Sequence, residues 1–239
     1  MYKSFLHLFY ILFTMKNKSL KGFVILSALL FMQTACRQAD KDRLANAIQY
    51  EQKGSLYQTE NKWDSAIANY YKSYQWYSLL ATTAQALTQN EYTSKQTQLA
   101  YKLACCYQIA HDYNNAILYA GFAYNGSKKL QQTDSCIADE ILTGFLYYQS
   151  AQTKQNNSAE QMKAYQEGAI YIYPAVGVID SLGWDRQYNE GHNKLALYAY
   201  AVAQSLFNKT GDTDKEKFCH DKYYALYVKM NGHAPGTHQ

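Results

Sequence analysis

Twelve residues after Gly54 stands Ala66, and twelve residues after Ala104 stands Ala116. The two neighbourhoods share one frame. Four residues before the small residue are Tyr50 and Ala100, three after it Tyr57 and Tyr107, and sixteen after it Tyr70 and Ala120. Residues three and four apart lie on one face of an α-helix. Ala66, Tyr70 and Ser73 continue such a face in the second segment. The frame therefore predicts helix, turn, helix, and then the same again. A glycine inside a helix costs about 1 kcal/mol relative to alanine, so Gly54 calls for a reason, and close approach of the two helices supplies one. The chain has only two prolines, Pro174 and Pro235. No proline precedes residue 174 to break a helix.

Carried along the chain, the pattern predicts an all-α fold of about four stacked antiparallel helical hairpins over residues 44–230. The first pairs a helix over 41–60 with one over 64–88, turning at Asn61-Lys62-Trp63-Asp64 with Asp64 as N-cap. In the second, Thr93 and Gln96 form a capping box, the helix runs to His111, Asp112-Tyr113-Asn114 turns, and a helix follows to Leu130. The third runs from Cys136 to Gln152, breaks at Asn156-Asn157, restarts at Ser158 with Gln161 as box partner, and ends at Pro174. Leu182-Gly183-Trp184 forms a loop. The fourth covers 187–208, turns at Thr210-Gly211-Asp212, restarts with a Thr213–Glu216 box, and reaches Met230, with Gly232 after the helix end. Residues 231–239 read as a flexible tail.

YEQKGSLYQTENKWDSAIANYYKS (50–73) and AYKLACCYQIAHDYNNAILYAGFA (100–123) resemble the tetratricopeptide repeat, a 34-residue helix-turn-helix unit with small and aromatic residues at these spacings. Phe145, Tyr148 and Tyr165, then Tyr200, Phe207 and Gly211-Asp212, match it more loosely. From Gly54 to Ala104 is 50 residues, 16 more than one repeat, and the excess falls in a long helix holding YYKSYQWY (70–77). The resemblance implies a groove lined from the first helix of each hairpin. Carried over, its residues are Glu51, Ser55 and Gln58, then Tyr101, Cys105 and Gln108. The lysines and asparagine of the groove that clamps acidic C-termini are absent at these places, so that clamp is not expected. A polar, weakly charged lining suits a peptide backbone or a sugar, and reads equally as a solvated face. Trp76 and Tyr77 are further candidates for stacking on a glycan, against a core role, which is the commoner fate of aromatics at helical spacing.

The N-terminus reads as an address. MKNKSLKGFVILSALLFMQTAC (15–36) sets lysines before an apolar run and small residues before Cys36, the order of a secretory signal. The run is too short for a bilayer-spanning helix. Thr34-Ala35-Cys36 resembles a bacterial lipobox, with Gln33 where leucine is usual. The resemblance implies a signal peptide over 15–35, lipid on Cys36, and a charged tether over 36–43 like that of some Bacteroidetes surface lipoproteins. Residues 1–14 precede a second methionine that opens a complete signal, so Met15 is the expected start, the alternative being one longer hydrophobic N-terminus. The formal charge of +4 arises here: residues 1–35 hold four lysines and no acid, and the remainder balances 19 basic against 19 acidic residues. With no basic cluster after residue 43, nucleic acid is not an expected partner.

Cys105, Cys106, Cys136 and Cys219 read as buried small hydrophobes, with a bridge to Cys136 left open for an oxidising compartment. Cys219-His220 is the one adjacent Cys/His pair, and no metal-ligand spacing supports it. His111, His192 and His220 read as turn or surface residues. G-x-S-x-G, G-x-x-x-x-G-K-[ST] and H-E-x-x-H are absent from the sequence. Asp139-Glu140 and Asp212/Asp214 read as carboxylates at helix starts. No cofactor is implied. The expectation is a non-enzymatic, lipid-tethered outer-membrane module that binds an envelope protein or peptide. The alternatives are a glycan-binding surface lipoprotein and the sensor half of a repeat-containing regulator.

Overall fold

The computed structural model describes the backbone of residues 18–83, 87–154, 158–186 and 189–235, and side chains over 38–81, 87–154, 158–186 and 189–235. The segment 1–14, the side chain of Cys36, the Asn156-Asn157 break and residues 236–239 lie outside the described residues. The fold is all-α. Its helices are α1 (Lys18–Thr59), α2 (Trp63–Thr83), α3 (Gln89–Ile109), α4 (Tyr113–Lys129), α5 (Thr133–Thr153), α6 (Ser158–Leu182), α7 (Glu190–Thr210) and α8 (Thr213–Asn231). Each packs on its chain neighbours, and α5 also touches α7. The result is a stack of four antiparallel hairpins. No helix among the described residues is long and apolar enough to cross a membrane.

The turns repeat one chemistry. Asn61, His111, Gln131 and Gly211 take positive φ, the left-handed region that ends a helix. The next residue's N–H reaches back five positions each time, Lys62 to Tyr57, Asp112 to Tyr107, Gln132 to Ser127 and Asp212 to Phe207, at 2.9–3.0 Å. That residue then starts the following helix: Asp112 Oδ1 accepts from the Asn115 N–H and Asp212 Oδ1 from the Lys215 N–H. Gly232 also takes positive φ at the end of α8, with its own N–H donating four residues back to the Val228 carbonyl at 2.8 Å.

Several local expectations are corrected. The box opening α3 is Thr88–Glu91, not Thr93–Gln96: Thr88 accepts from the Glu91 N–H while the Glu91 carboxylate accepts from the Thr88 N–H. Thr93 is buried inside α3 and bonds the Gln89 carbonyl. α2 accordingly ends at Thr83 and begins at Trp63, which leaves Asp64 in its first turn. Gln161 does not reach back along α6; its amide donates to the Ala151 carbonyl near the end of α5. Asp212, not Thr213, caps α8. α1 begins well before residue 41 and runs unbroken through 36–43.

Pro174 does not end α6, which continues to Leu182. The proline removes the bond to the Ile170 carbonyl. Ile170, Tyr173 and Pro174 are exposed, so water can satisfy that carbonyl. Ile172, Ala175, Val176 and Ile179 are buried on the opposite face. Burial on both sides of the proline holds the helix through it.

Gly54 is explained by contact. A Cβ there would lie 2.6 Å from Cδ1 of Tyr70, because the Tyr70 ring rests on the bare backbone of α1. Tyr70 is fully buried, with Ala66 and Ser73 on the same face. The Ser73 hydroxyl donates to the Ala47 carbonyl at 2.8 Å, tying α2 to α1 again. In the second hairpin Ala100, Ala104, Ala116 and Ala120 are all buried.

Candidate functional site

Among the first helices of the hairpins, α5 touches α7, and α1 is joined to α3 by ion pairs. The expected groove residues on α1 come together there. Tyr70, lying on Gly54, donates its hydroxyl hydrogen to Gln58 Oε1 at 2.6 Å and has Ser55 Oγ at 3.1 Å. Glu51 sits one turn earlier. Its carboxylate takes Lys102 at 2.9 Å and Lys95 at 3.5 Å, both from α3. Burial alone would push the Glu51 carboxyl up, but the hydrogen bond and charge of Lys102, then Lys95, outweigh it and hold the group below its usual value. Lys102 also stands 5.3 Å over the Tyr70 ring. Glu51, Ser55 and Gln58 are thus fixed by internal partners around one tyrosine.

The α3 residues behave differently. Tyr101 is 40% exposed. Its hydroxyl lies within electrostatic range of the half-buried Cys105. Tyr198 of α7, 42% exposed, comes within electrostatic range of both. Phe145 of α5 meets the Tyr198 ring edge-on, centroids 5.5 Å apart. Burial, then Cys105 and Asp139, push the Tyr101 hydroxyl up to about 12; burial, then Tyr101 and Cys105, raise that of Tyr198. Both phenols therefore stay neutral hydrogen-bonding groups at ordinary pH. Three hairpins thus contribute to one partly open aromatic patch beside the Glu51–Lys95–Lys102 cluster. Two ammonium groups face one carboxylate in that cluster, so its local charge is positive.

No family model matches this chain, and no curated protein does. Among solved structures it is similar to BtubC (BKLC) from P. vanneervenii, at 17% identity and a TM-score of 0.37, over 90% of this chain and 94% of that one.

The remaining expected site residues are scattered. Gln108 is half-buried near the end of α3. Trp76 is half-buried and packs against the core. Tyr77 is 1% exposed within that core, so its ring face is closed to a sugar; the i, i+4, i+7 run from Tyr70 points it inward. The sulphurs of Cys105, Cys106, Cys136 and Cys219 are unbridged. Burial raises all four thiols, Cys106 to about 11 and Cys219 to about 12, the wrong direction for a nucleophile. Among the described residues no group of three or more His, Cys, Asp and Glu could hold a metal ion.

His192 is not a plain surface residue. Its ring stacks on the buried Trp184 at 4.0 Å, and Nε2 lies 3.2 Å from Asp134. Two clefts lie off the aromatic patch. One of about 500 Å³ is lined by Tyr147, Ser150, Lys154, Lys163 and Glu167. One of about 300 Å³ is lined by Tyr173, Phe207, Phe218 and Lys215. Asp139 and Glu140 correct the sequence reading most. α5 starts at Thr133, so they lie well inside the helix, buried against α4, and do not serve at its start.

Proposed function

We propose that this chain is a non-enzymatic, lipid-tethered lipoprotein of tetratricopeptide-like hairpins that binds a segment of another cell-envelope protein on its α1/α3/α5/α7 face. One observation carries the reading. Tyr101, Phe145 and Tyr198, from three separate hairpins, converge into a partly exposed aromatic patch beside a fixed polar cluster. Aromatic side chains that offer apolar area with a hydroxyl handle are the usual anchors of protein interfaces. The flanking lysine excess suits a partner segment with an acidic residue beside its apolar anchor. Support for the tether is the signal-like run and Cys36; a lipid there would hold the module near a membrane partner and raise its effective concentration.

The test is crosslinking in living cells of the native host, followed by capture and mass spectrometry. An enriched envelope protein, lost in Tyr101→Ala/Tyr198→Ala and reduced in Cys36→Ala, is the expected result. No enrichment above the Cys36→Ala control removes the adaptor reading. The open aromatics would then point to sugars, tested by retention on immobilised polysaccharide with Tyr101→Ala and Trp76→Ala as comparison. Unchanged retention in both variants would remove that reading as well.

A further inference from the structure

Two hydrophobic cores meet at α5. One is built on α1–α4 and takes Leu142 and Leu146 from α5; the other is built on α5–α8 and takes Ile137 and Ile141. Between them the α4–α5 interface carries buried polar groups. The Ser127 hydroxyl of α4 donates to Asp139 Oδ2 of α5 at 2.7 Å, with Ser127 1% and Asp139 3% exposed. Next to it, Tyr124 and Lys128 of α4 lie within electrostatic range of Glu140. Thr143 turns its hydroxyl back to the Asp139 carbonyl.

Asp139 is poorly provided for as an anion. A carboxylate has about four acceptor sites, and Ser127 fills one. Ser127 from α4 touches it, and the titratable groups within electrostatic range are Tyr101 and Cys105 from α3 and Cys136 and Glu140 on α5 itself. None is a cation, and Glu140 adds like charge. From α6 and α7, Tyr171 acts on Tyr124 and Tyr198 on the Tyr101–Cys105 pair. Burying an unpaired charge is costly, and a proton removes the cost.

We propose that the α4–α5 seam is a proton-linked joint: protonated Asp139 locks the two cores together, and the charged carboxylate loosens them. The direction follows from linkage. Burial chiefly, opposed by the Ser127 bond and aided by Glu140, raises the Asp139 carboxyl from 3.8 to about 7 in the closed state. The closed seam binds the proton more tightly than an opened, hydrated one. Its extra stability is complete below about 3.8, declines as pH rises, and is gone once pH passes about 7. The neutral range is therefore where the joint is loosest.

The experiment is hydrogen exchange with mass spectrometry on the full chain from pH 5 to pH 8.5, corrected for intrinsic exchange rates. In the wild type, protection of peptides in α4 and α5 should fall by more than tenfold between about pH 5 and 7 and level off above; one proton permits at most about tenfold per unit. Peptides of α2 should not share the fall. In Asp139→Asn the seam should hold its acid-side protection within about twofold across the range. In Ser127→Ala, which loses the donor that favours the charged form, the levelling should move to higher pH. A flat wild type, the same fall in Asp139→Asn, or an unshifted profile in Ser127→Ala would overturn the joint. No partner is used, so this result and that of the capture experiment are read separately.

Discussion

At Gly54 and Tyr70 the first hairpin sets the smallest residue against one of the largest; at Ala104 and Ala120 the second sets two small residues against each other. The frame is the same and the contents are redistributed. In the first hairpin the Tyr70 ring crosses the helix interface, and its hydroxyl ends among Ser55 and Gln58. In the second the aromatic volume moves aside: Tyr107 stacks on Tyr119 with centroids 5.6 Å apart and planes at 14°. Tyr101 is left partly exposed with the half-buried Cys105 near it, and Tyr198 and Phe145 lie in the same patch. The comparison teaches that one exchange of large for small decides whether a hairpin's outer face is tied up internally or left open to a partner.

Breaking the first arrangement should have the largest effect. Tyr70→Ala removes a fully buried ring and the hydroxyl that holds Ser55 and Gln58. A loss of about 3–5 kcal/mol is expected, as for other buried aromatics cut to alanine, read by urea denaturation. Gly54→Ala should come next. Its Cβ would meet the Tyr70 ring at 2.6 Å, and a ring buried on every side has little room to move. Overpacking of this kind costs about 1–3 kcal/mol, less the alanine helix preference of about 1 kcal/mol. A lowered melting temperature would show it, and an unchanged one would mean the ring can yield.

The reciprocal change in the second hairpin, Ala104→Gly, adds no atom to the buried interface and should cost about 1 kcal/mol through helix preference. A cost equal to that of Tyr70→Ala would erase the distinction between the hairpins. The smallest effect is expected at Glu51. Its carboxyl is held below its usual value in the fold, so its contribution is present above the unfolded value of 4.5 and lost as pH falls through the folded one. Glu51→Gln should therefore lower stability at pH 7 by at most about 1 kcal/mol and flatten its decline on acidification. A variant that melts like the wild type at pH 7 and still declines in the same way would show that the lysine pairs contribute nothing.

The hairpins were legible because their signal is local. Gly54, Ala66 and Tyr70 fall on one helical face by counting alone, and glycine or asparagine at a turn has one ready explanation. The boundaries were less so, since Thr88 and Thr93 offer the same chemistry five residues apart, and burial of Thr93 decides between them. Pro174 misled because its local rule is real, but Ile172 and Ile179 bury both sides of it. The candidate site was half visible. Glu51, Ser55, Gln58, Tyr101 and Cys105 come from positions within single helices. Phe145 and Tyr198 join only once the stacking of α3, α5 and α7 is known, and no spacing carries that. Asp139 escaped because a carboxylate near an expected helix start looks like a cap; α5 beginning at Thr133 puts it inside.

The central claim is that Gly54 is there for the Tyr70 ring. A double-mutant cycle tests it, with Gly54→Ala, Tyr70→Ala and the pair measured by urea denaturation. If the ring is what excludes a Cβ, Gly54→Ala should cost nothing once Tyr70 is alanine, and could stabilise by about 1 kcal/mol through helix preference. The coupling should then exceed about 1 kcal/mol. Effects that add within about 0.5 kcal/mol, as for residues that do not touch, would contradict the account.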